Sequence, residues 1–245
     1  MSPAIRCEAV SFDLFNAVVD LRAGLAAGLA RHAGLSSAPQ AARLFHEREA
    51  AEEELLDKLE EFVPYDRLFA SSLLEAAARA GAPLAPEQAA AIVAEAGSWP
   101  HFPDAAPALQ RIAAEKRIGA LSNFPRALAA PHVARLALPK ARLIVADDVE
   151  AYLPEPDLLL ALTHELQLDE DQLLHVSCDP ERDLYTAEDL GVRGVFVDRR
   201  GEGAPEDLGL AFVARDWAGV AARLLAPRRP PFAGRPGVAR RPSRR

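Results

Sequence analysis

The segments IGALSN (118–123), ARLIVA (141–146), LLHVSC (173–178) and GVFVD (194–198) decide the fold. Each has the length and the branched apolar content of a buried β-strand. The stretches between and around them have helical spacing of apolar residues. These helices are predicted at 104–116, 125–136, 156–166, 183–190 and 216–225. Strands that alternate with helices predict parallel strands joined by right-handed crossovers, and therefore an α/β layered sheet.

A further strand opens the chain, because IRCEAVSFDLF (5–15) is an apolar stretch that ends near Asp13. The pattern after it is helical throughout, with predicted helices at 21–34, 38–61, 65–80 and 86–97. An all-helical block between the first two strands predicts an inserted cap domain. We therefore expect an α/β core at 1–17 and 101–226, a helical cap at 18–100, and a basic terminal segment at 227–245.

Composition limits the classes of protein to which the chain can belong. With 245 residues, half of them hydrophobic, it can bury a sizeable core. No stretch approaches the roughly 20 apolar residues of a membrane-spanning helix, and Met1–Cys7 lacks the blocks of a secretion signal, so we expect a cytoplasmic protein without a membrane partner. The two cysteines, Cys7 and Cys178, are far apart in sequence and predict reduced thiols rather than a disulfide framework.

Charge is distributed unevenly along the chain. The net charge is −8, but residues 227–245 (PRRPPFAGRPGVARRPSRR) contain seven arginines and no acid, so −8 less their +7 leaves −15 on the remainder. An acidic body disfavours nucleic acid as a partner. The terminal segment is expected to be a solvated extension, or to bind the acidic body or an anionic partner.

Polar residues at the ends of the predicted strands are the candidates for a site, since ligands of such sheets bind beyond the carboxyl ends of the strands. Asp13 ends the first strand, and Ser122 and Asn123 end the next. Asp179 and Asp183 follow a later one. Asp13 is either a nucleophile that forms an aspartyl intermediate or a structural acceptor of backbone N–H groups. Ser122 and Asn123 either orient a substrate oxyanion or satisfy the turn.

Four ordered segments carry a resemblance to a known family: FDLFNAVVD (12–20), LSN (121–123), AYLPEPD (151–157) and HVSCDPERDLYTAEDLGVRGVFVDR (175–199). Together they resemble the motifs of the haloacid dehalogenase superfamily, over about residues 5–200. The resemblance implies a Rossmann-like parallel sheet with an inserted helical cap. It also implies hydrolase ancestry, with Asp13 as the nucleophile and Ser122 and Asn123 beside it.

Several positions depart from the family pattern. The phosphatases of the family have a second Asp two residues after the nucleophile, where this chain has Phe15, which cannot transfer a proton. The dehalogenase branch also lacks that acid. The expected threonine is Ala17, and the expected lysine, aligned on the following Pro154, is Leu153. The chain has only three lysines, Lys58, Lys116 and Lys140, and none is expected near Asp13, where Arg182 is the available stand-in cation.

The resemblance also bears on metal and substrate binding. Counting back from Asp183 places Cys178 at the first metal-acid position, and a thiol is a poor ligand for Mg²⁺. We therefore expect no cofactor, with a Mg²⁺ site of Asp13, Asp179 and Asp183 as the alternative. In the cap, the halide-binding arginine of the dehalogenases aligns with His46, and Arg48 lies nearby. Residues predicted to contact a substrate are thus Phe15, His46, Arg48 and Arg182.

Two functions stay open from the sequence. The favoured one is a hydrolase-like protein with a degenerate site that binds a small molecule in the cleft between cap and core, or a protein partner. The alternative is an active hydrolase, similar to 2-haloacid dehalogenases or to phosphatases, that uses Asp13 on a small organic substrate.

Overall fold

Six parallel strands form one sheet in the computed structural model, which describes residues 6–226. The strands are β1 (Ala9–Asp13), β2 (Arg117–Ser122), β3 (Arg142–Val145), β4 (Leu173–Ser177), β5 (Arg193–Val197) and β6 (Phe212–Ala214). Their order across the sheet is β3-β2-β1-β4-β5-β6, and every neighbouring pair is parallel. The carboxyl ends of β1, β2 and β4 therefore meet at the centre of one sheet edge.

Ten α-helices surround or extend from this sheet in the described part of the chain. The first four follow β1 directly: α1 (Leu21–Ala33), α2 (Ala38–Leu56), α3 (Tyr65–Ala80) and α4 (Pro86–Ala94). The others are α5 (Ala105–Ala113), α6 (Arg126–Arg135), α7 (Ala146–Val149), α8 (Asp157–Leu166), α9 (Tyr185–Asp189) and α10 (Trp217–Leu224). The predicted fold class, a parallel α/β core with an inserted helical cap, is confirmed.

Some local predictions are wrong. The strand β6 and the short helix α7 are absent from the sequence interpretation, because three or four residues carry too little periodicity to be recognised. The helix predicted at 183–190 begins at Tyr185 instead, because residues 180–184 form a π-helix, Pro180–Leu184. Asp179 caps this segment, since its side chain accepts a hydrogen bond from the N–H of Arg182. The basic segment 227–245 lies outside the described residues.

Burial on both faces explains the apolar character of the central strands. Every residue of β1 is buried, as expected where helices cover both sides of a parallel sheet. On one face Phe12 packs edge-on against Trp217 at 5.5 Å between ring centroids. On the other, helix α8 comes so close to β2 that a Cβ added at Gly119 would lie 2.4 Å from Leu162 Cδ2. Any larger residue at position 119 would overlap Leu162, so this close approach requires the glycine of the IGALSN segment.

The chain leaves the core and returns to it through paired backbone segments. After β1 it turns at Asn16, which has a positive φ of 75°, a conformation that asparagine tolerates. The N–H of Asp20 donates to the carbonyl of Pro100 at 2.8 Å, and the N–H of Phe102 donates to the carbonyl of Val18 at 2.9 Å. These bonds hold the two connections side by side and place the cap helices over the sheet edge that carries Asp13.

None of the helices within residues 6–226 has the length and apolar character needed to cross a bilayer.

Candidate active site

Asp13 lies at the carboxyl end of β1 with its carboxyl group almost enclosed, the residue being 9% exposed. Burial raises the pKa of Asp13 well above its usual value, and the nearby carboxylates of Asp183 and Asp179 raise it further. Arg182 and the backbone N–H of Phe15 act in the opposite direction but do not outweigh these effects. Among residues 6–226, no Lys, Arg or His nitrogen forms an ion pair with Asp13 within 4.0 Å.

Ser122 and Asn123, predicted as catalytic residues, lie beside this strand end and form local hydrogen bonds. The hydroxyl of Ser122 donates to the carbonyl of Phe124 at 3.2 Å. Asn123 donates to the carbonyl of Leu153 at 3.3 Å and accepts from its N–H at 2.9 Å. Asn123 thus fixes the loop that carries Leu153, and a catalytic role for either residue stays a prediction.

Phe15, predicted to contact a substrate, is packed in an aromatic cluster between core and cap. The centroid of its ring lies 4.3 Å from the ring centroid of Phe124, 6.2 Å from that of Trp99 and 5.2 Å from that of His132. The side chain is buried. Contact with a substrate at this position is a prediction that requires the cluster to open or a ligand to reach its edge.

The two cap residues predicted to contact a substrate lie in different environments on α2. His46 is exposed, whereas Arg48 is 3% exposed. The guanidinium of Arg48 lies over the ring of Phe69, 4.3 Å from its centroid, and pairs with Glu52 one turn later. Of the two, Arg48 is the residue at the interface with the core.

Glu52 is the centre of a buried ionic network that links cap and core. Its carboxylate pairs with Arg48, accepts from the hydroxyl of Tyr65 at 2.7 Å, and pairs with Arg182 of the core at 2.5 Å. Burial alone would raise the pKa of Glu52, but the charges of Arg48 and Arg182 and the hydrogen bonds from Tyr65 and Arg182 lower it to about 2. Glu52 is therefore an ionised, fully buried carboxylate that compensates two guanidinium groups.

Sequence reasoning missed Glu52 as a site residue. It stands in the run Glu52, Glu53 and Glu54, and nothing in that run distinguishes the one member that is buried. The available signal was its spacing from Arg48, since residues four apart share one face of a helix. Arg182, predicted as a stand-in cation beside Asp13, lies in the π-helix after β4, and its ion-pair partners are Glu52 at 2.5 Å and Asp179 at 3.7 Å rather than Asp13.

The carboxylates after β4 are arranged by the π-helix. A π-turn takes up one more residue than an α-turn, which lets Asp179 cap the segment while Asp183 turns back toward the sheet. Asp183 accepts a hydrogen bond from the hydroxyl of Ser177. Burial, reinforced by Asp179, raises the pKa of Asp183 to about 7. Its second oxygen is buried without a partner in the described structure.

These carboxylates do not fit a magnesium site as they stand. Within residues 6–226 no group of three or more His, Cys, Asp or Glu side chains is disposed to hold a metal ion. Asp179 lies 3.7 Å from the guanidinium of Arg182, and one oxygen of Asp183 accepts a hydrogen bond from Ser177. Mg²⁺ prefers several oxygen ligands in a tight octahedron, and the described residues do not present such a set.

The positions that depart from the family pattern are also packed. Leu153 is buried among Leu121 and Leu158 on the face of the sheet covered by α8.

Burial raises the pKa of the Cys178 thiol to about 12, which disfavours a thiolate nucleophile near neutral pH. Lys116 is at the opposite edge of the sheet, where its ammonium group donates to the carbonyl of Cys7 at 2.7 Å before β2 begins.

Comparisons with known proteins identify the family. Residues 7–191 match the profile of the haloacid dehalogenase-like hydrolases, and the chain belongs to this family. A defluorinating L-2-haloacid dehalogenase is 26% identical in sequence, with a TM-score of 0.74 over 90% of this chain and 96% of its own. The L-2-haloacid dehalogenase of Xanthobacter autotrophicus with covalently bound chloropropionic acid is 18% identical, with a TM-score of 0.73 over 90% and 99% of the two chains. A search among curated protein sequences found no match.

Proposed function

We propose that this protein is a haloacid dehalogenase-like hydrolase homologue with an impaired hydrolytic site, and that it binds a small molecule in the cleft between cap and core, or a protein partner, without turning it over. The observation that carries the proposal is the state of Asp13. Its carboxyl group is buried, has a raised pKa, and has no cation within 4.0 Å among the described residues. The direction of this pKa shift favours the neutral form, and loss of charge weakens a carboxyl group as a nucleophile.

The neighbouring substitutions support the same proposal. Leu153 supplies no charge where the family resemblance implies a lysine, and Ala17 supplies no hydroxyl where it implies a threonine. Removing a single transition-state stabiliser typically costs about 10²- to 10³-fold in rate. Because both groups are replaced, little of the family's ordinary activity is expected, even if their effects are not additive.

An active hydrolase is the second candidate, and the position of Arg182 favours it. This guanidinium lies close enough to Asp13 to lower its pKa in part, as a catalytic cation would. In such an enzyme an ionised Asp13 would attack the carbon that carries the leaving group of a 2-haloacid, releasing halide and forming an ester. Water would then hydrolyse the ester to the 2-hydroxy acid and restore Asp13.

The two candidates are separated by turnover measurements on the purified full chain. We would assay a panel of 2-haloacids and phosphate monoesters, with and without Mg²⁺, for the unsubstituted protein, Asp13→Asn, and the control Asp189→Asn, which changes an exposed residue of α9. The proposal expects no turnover above background in any of the three. Turnover that Asp13→Asn abolishes and Asp189→Asn retains would refute it and establish the alternative.

Binding is tested separately by thermal unfolding in the presence of small organic acids. A ligand of the cleft should raise the melting temperature of the unsubstituted protein and of Asp13→Asn, and should be recovered unchanged after incubation. A ligand that is recovered as a hydrolysis product would contradict the proposal.

A further inference from the structure

An acidic groove runs along the seam between the cap and the core, away from Asp13. It encloses about 340 Å³. Five carboxylates line it: Asp57, Glu60 and Glu61 from the segment after α2, and Glu150 and Glu155 from the loop after α7. No Lys, Arg or His is among its lining residues. The groove therefore carries a formal charge of −5 in a small volume.

The carboxylates of this acidic groove have no compensating partners in the described part of the chain. None of the five forms an ion pair within 4.0 Å with a residue of 6–226, although neighbouring acids such as Glu54 do. All five residues are exposed. The carboxylates repel one another. A cationic occupant relieves this repulsion, whereas an anionic one would add to it.

The wall of the acidic groove is aromatic and held in place by hydrogen bonds. The rings of Phe62 from the cap and Tyr152 from the core are stacked with centroids 5.0 Å apart. The hydroxyl of Tyr152 donates to the carbonyl of Val63 and accepts from its N–H, the latter at 2.9 Å. Aromatic walls of this kind accept proline rings and the flat faces of guanidinium groups.

The chain itself contains a segment with the matching chemistry. Residues 227–245 (PRRPPFAGRPGVARRPSRR) carry seven arginines, five prolines and one phenylalanine, with no acid. Arginine complements the carboxylates, and proline-rich sequence suits an aromatic groove because its extended backbone loses little entropy on binding. Nineteen residues can span roughly 60 Å when extended, enough to reach across a domain of this size.

We propose that the arginine- and proline-rich segment 227–245 docks in the acidic groove formed by residues 56–62 of the cap and 150–155 of the core of the same molecule. Both sides of the seam contribute carboxylates, so a docked segment contacts cap and core together. The proposal does not depend on whether Asp13 is catalytic.

The test uses the full chain with the photoreactive residue benzoylphenylalanine in place of Ser243, near the far end of the segment, where the extended chain has the reach that the docking requires. After irradiation at low ionic strength, we expect intramolecular crosslinks to residues 56–62 and 150–155, identified by mass spectrometry. The groove variant Glu60→Gln/Glu61→Gln/Glu150→Gln should lower their yield by about tenfold, the order expected from losing three exposed ion pairs. Raising the NaCl concentration to about 0.5 M should have a similar effect, because salt screens exposed charges.

A matched control removes the same charge elsewhere. Glu87→Gln/Glu115→Gln/Glu206→Gln replaces three exposed acids outside the acidic groove and should leave the crosslinks unchanged. Circular dichroism of both triple variants checks that they are folded. Crosslinks to other surfaces, crosslinks between molecules, or equal losses in the two triple variants would each overturn the proposal.

Discussion

Glu52→Gln tests whether the buried network at the interface of cap and core stabilises the protein as its geometry implies. The substitution keeps the shape of the side chain but removes the negative charge that Arg48 and Arg182 share. The buried guanidinium of Arg48 would then lack compensation, and the half-buried Arg182 would keep only Asp179, at 3.7 Å. Removing one partner of a buried ion pair typically costs about 3–5 kcal/mol.

The pKa of Glu52 gives an independent magnitude. A decrease from 4.5 to about 2 corresponds to about 3 kcal/mol of stabilisation of the ionised form in the folded state. Because the folded-state pKa is the lower one, this stabilisation is present above about pH 4.5 and is lost as the pH falls toward 2. Both lines of reasoning predict a loss of about 3–4 kcal/mol at pH 7.

The assay is urea unfolding at pH 7, followed by circular dichroism, with Glu54→Gln as the control. Glu54 is an exposed member of the same helix and pairs with Arg79 at 2.9 Å, so its replacement should cost less than about 1 kcal/mol. A loss below about 1 kcal/mol for Glu52→Gln, or equal losses for the two variants, would refute the account of Glu52 as the compensating charge of the network.

Three further predictions follow from other buried groups. Burial lowers the pKa of His132 to about 4 and that of His175 to about 3, so the unfolded chain binds protons at these positions that the folded one does not. Each histidine should therefore lower the free energy of unfolding by about 2 kcal/mol between pH 7 and pH 5, against the opposite contribution of Asp183, whose pKa of about 7 lets the folded chain take up a proton in this range. Replacement of both histidines by glutamine should change the pH dependence by about 4 kcal/mol in favour of stability at pH 5 relative to the unsubstituted protein, and an unchanged pH dependence would contradict their burial as neutral groups. Gly119→Ala should cost about 1–3 kcal/mol in urea unfolding, because the new methyl group would overlap Leu162, and no loss would contradict this packing. The thiol of Cys178 is half-buried and its pKa is raised to about 12, so it should react with iodoacetamide at pH 8 much more slowly in the folded protein than in the unfolded one, and alkylation at equal rates would contradict the raised pKa.

Much of the site was accessible from the sequence because it depends on where strands end. The strand-end positions of Asp13, Ser122 and Asn123 follow from the apolar pattern, and parallel strands bring their carboxyl ends together. The family motifs place the same residues. The sequence could not show that the pKa of Asp13 is raised, because this shift depends on burial and on Asp183, which is 170 positions away in the chain.

The sequence by itself determined the layered α/β core, the helical insertion and the positions without the family's lysine and threonine, because these are written in local periodicity and in residue identity. Only the tertiary structure decided which acid of the Glu52–Glu54 run is buried, and that Arg182 pairs with it across the interface. It also decided that a π-turn makes Asp179 the cap. Each of these depends on contacts or on local backbone geometry that side-chain spacing does not encode. The free energy of such contacts depends on burial, and burial is a property of the packed fold.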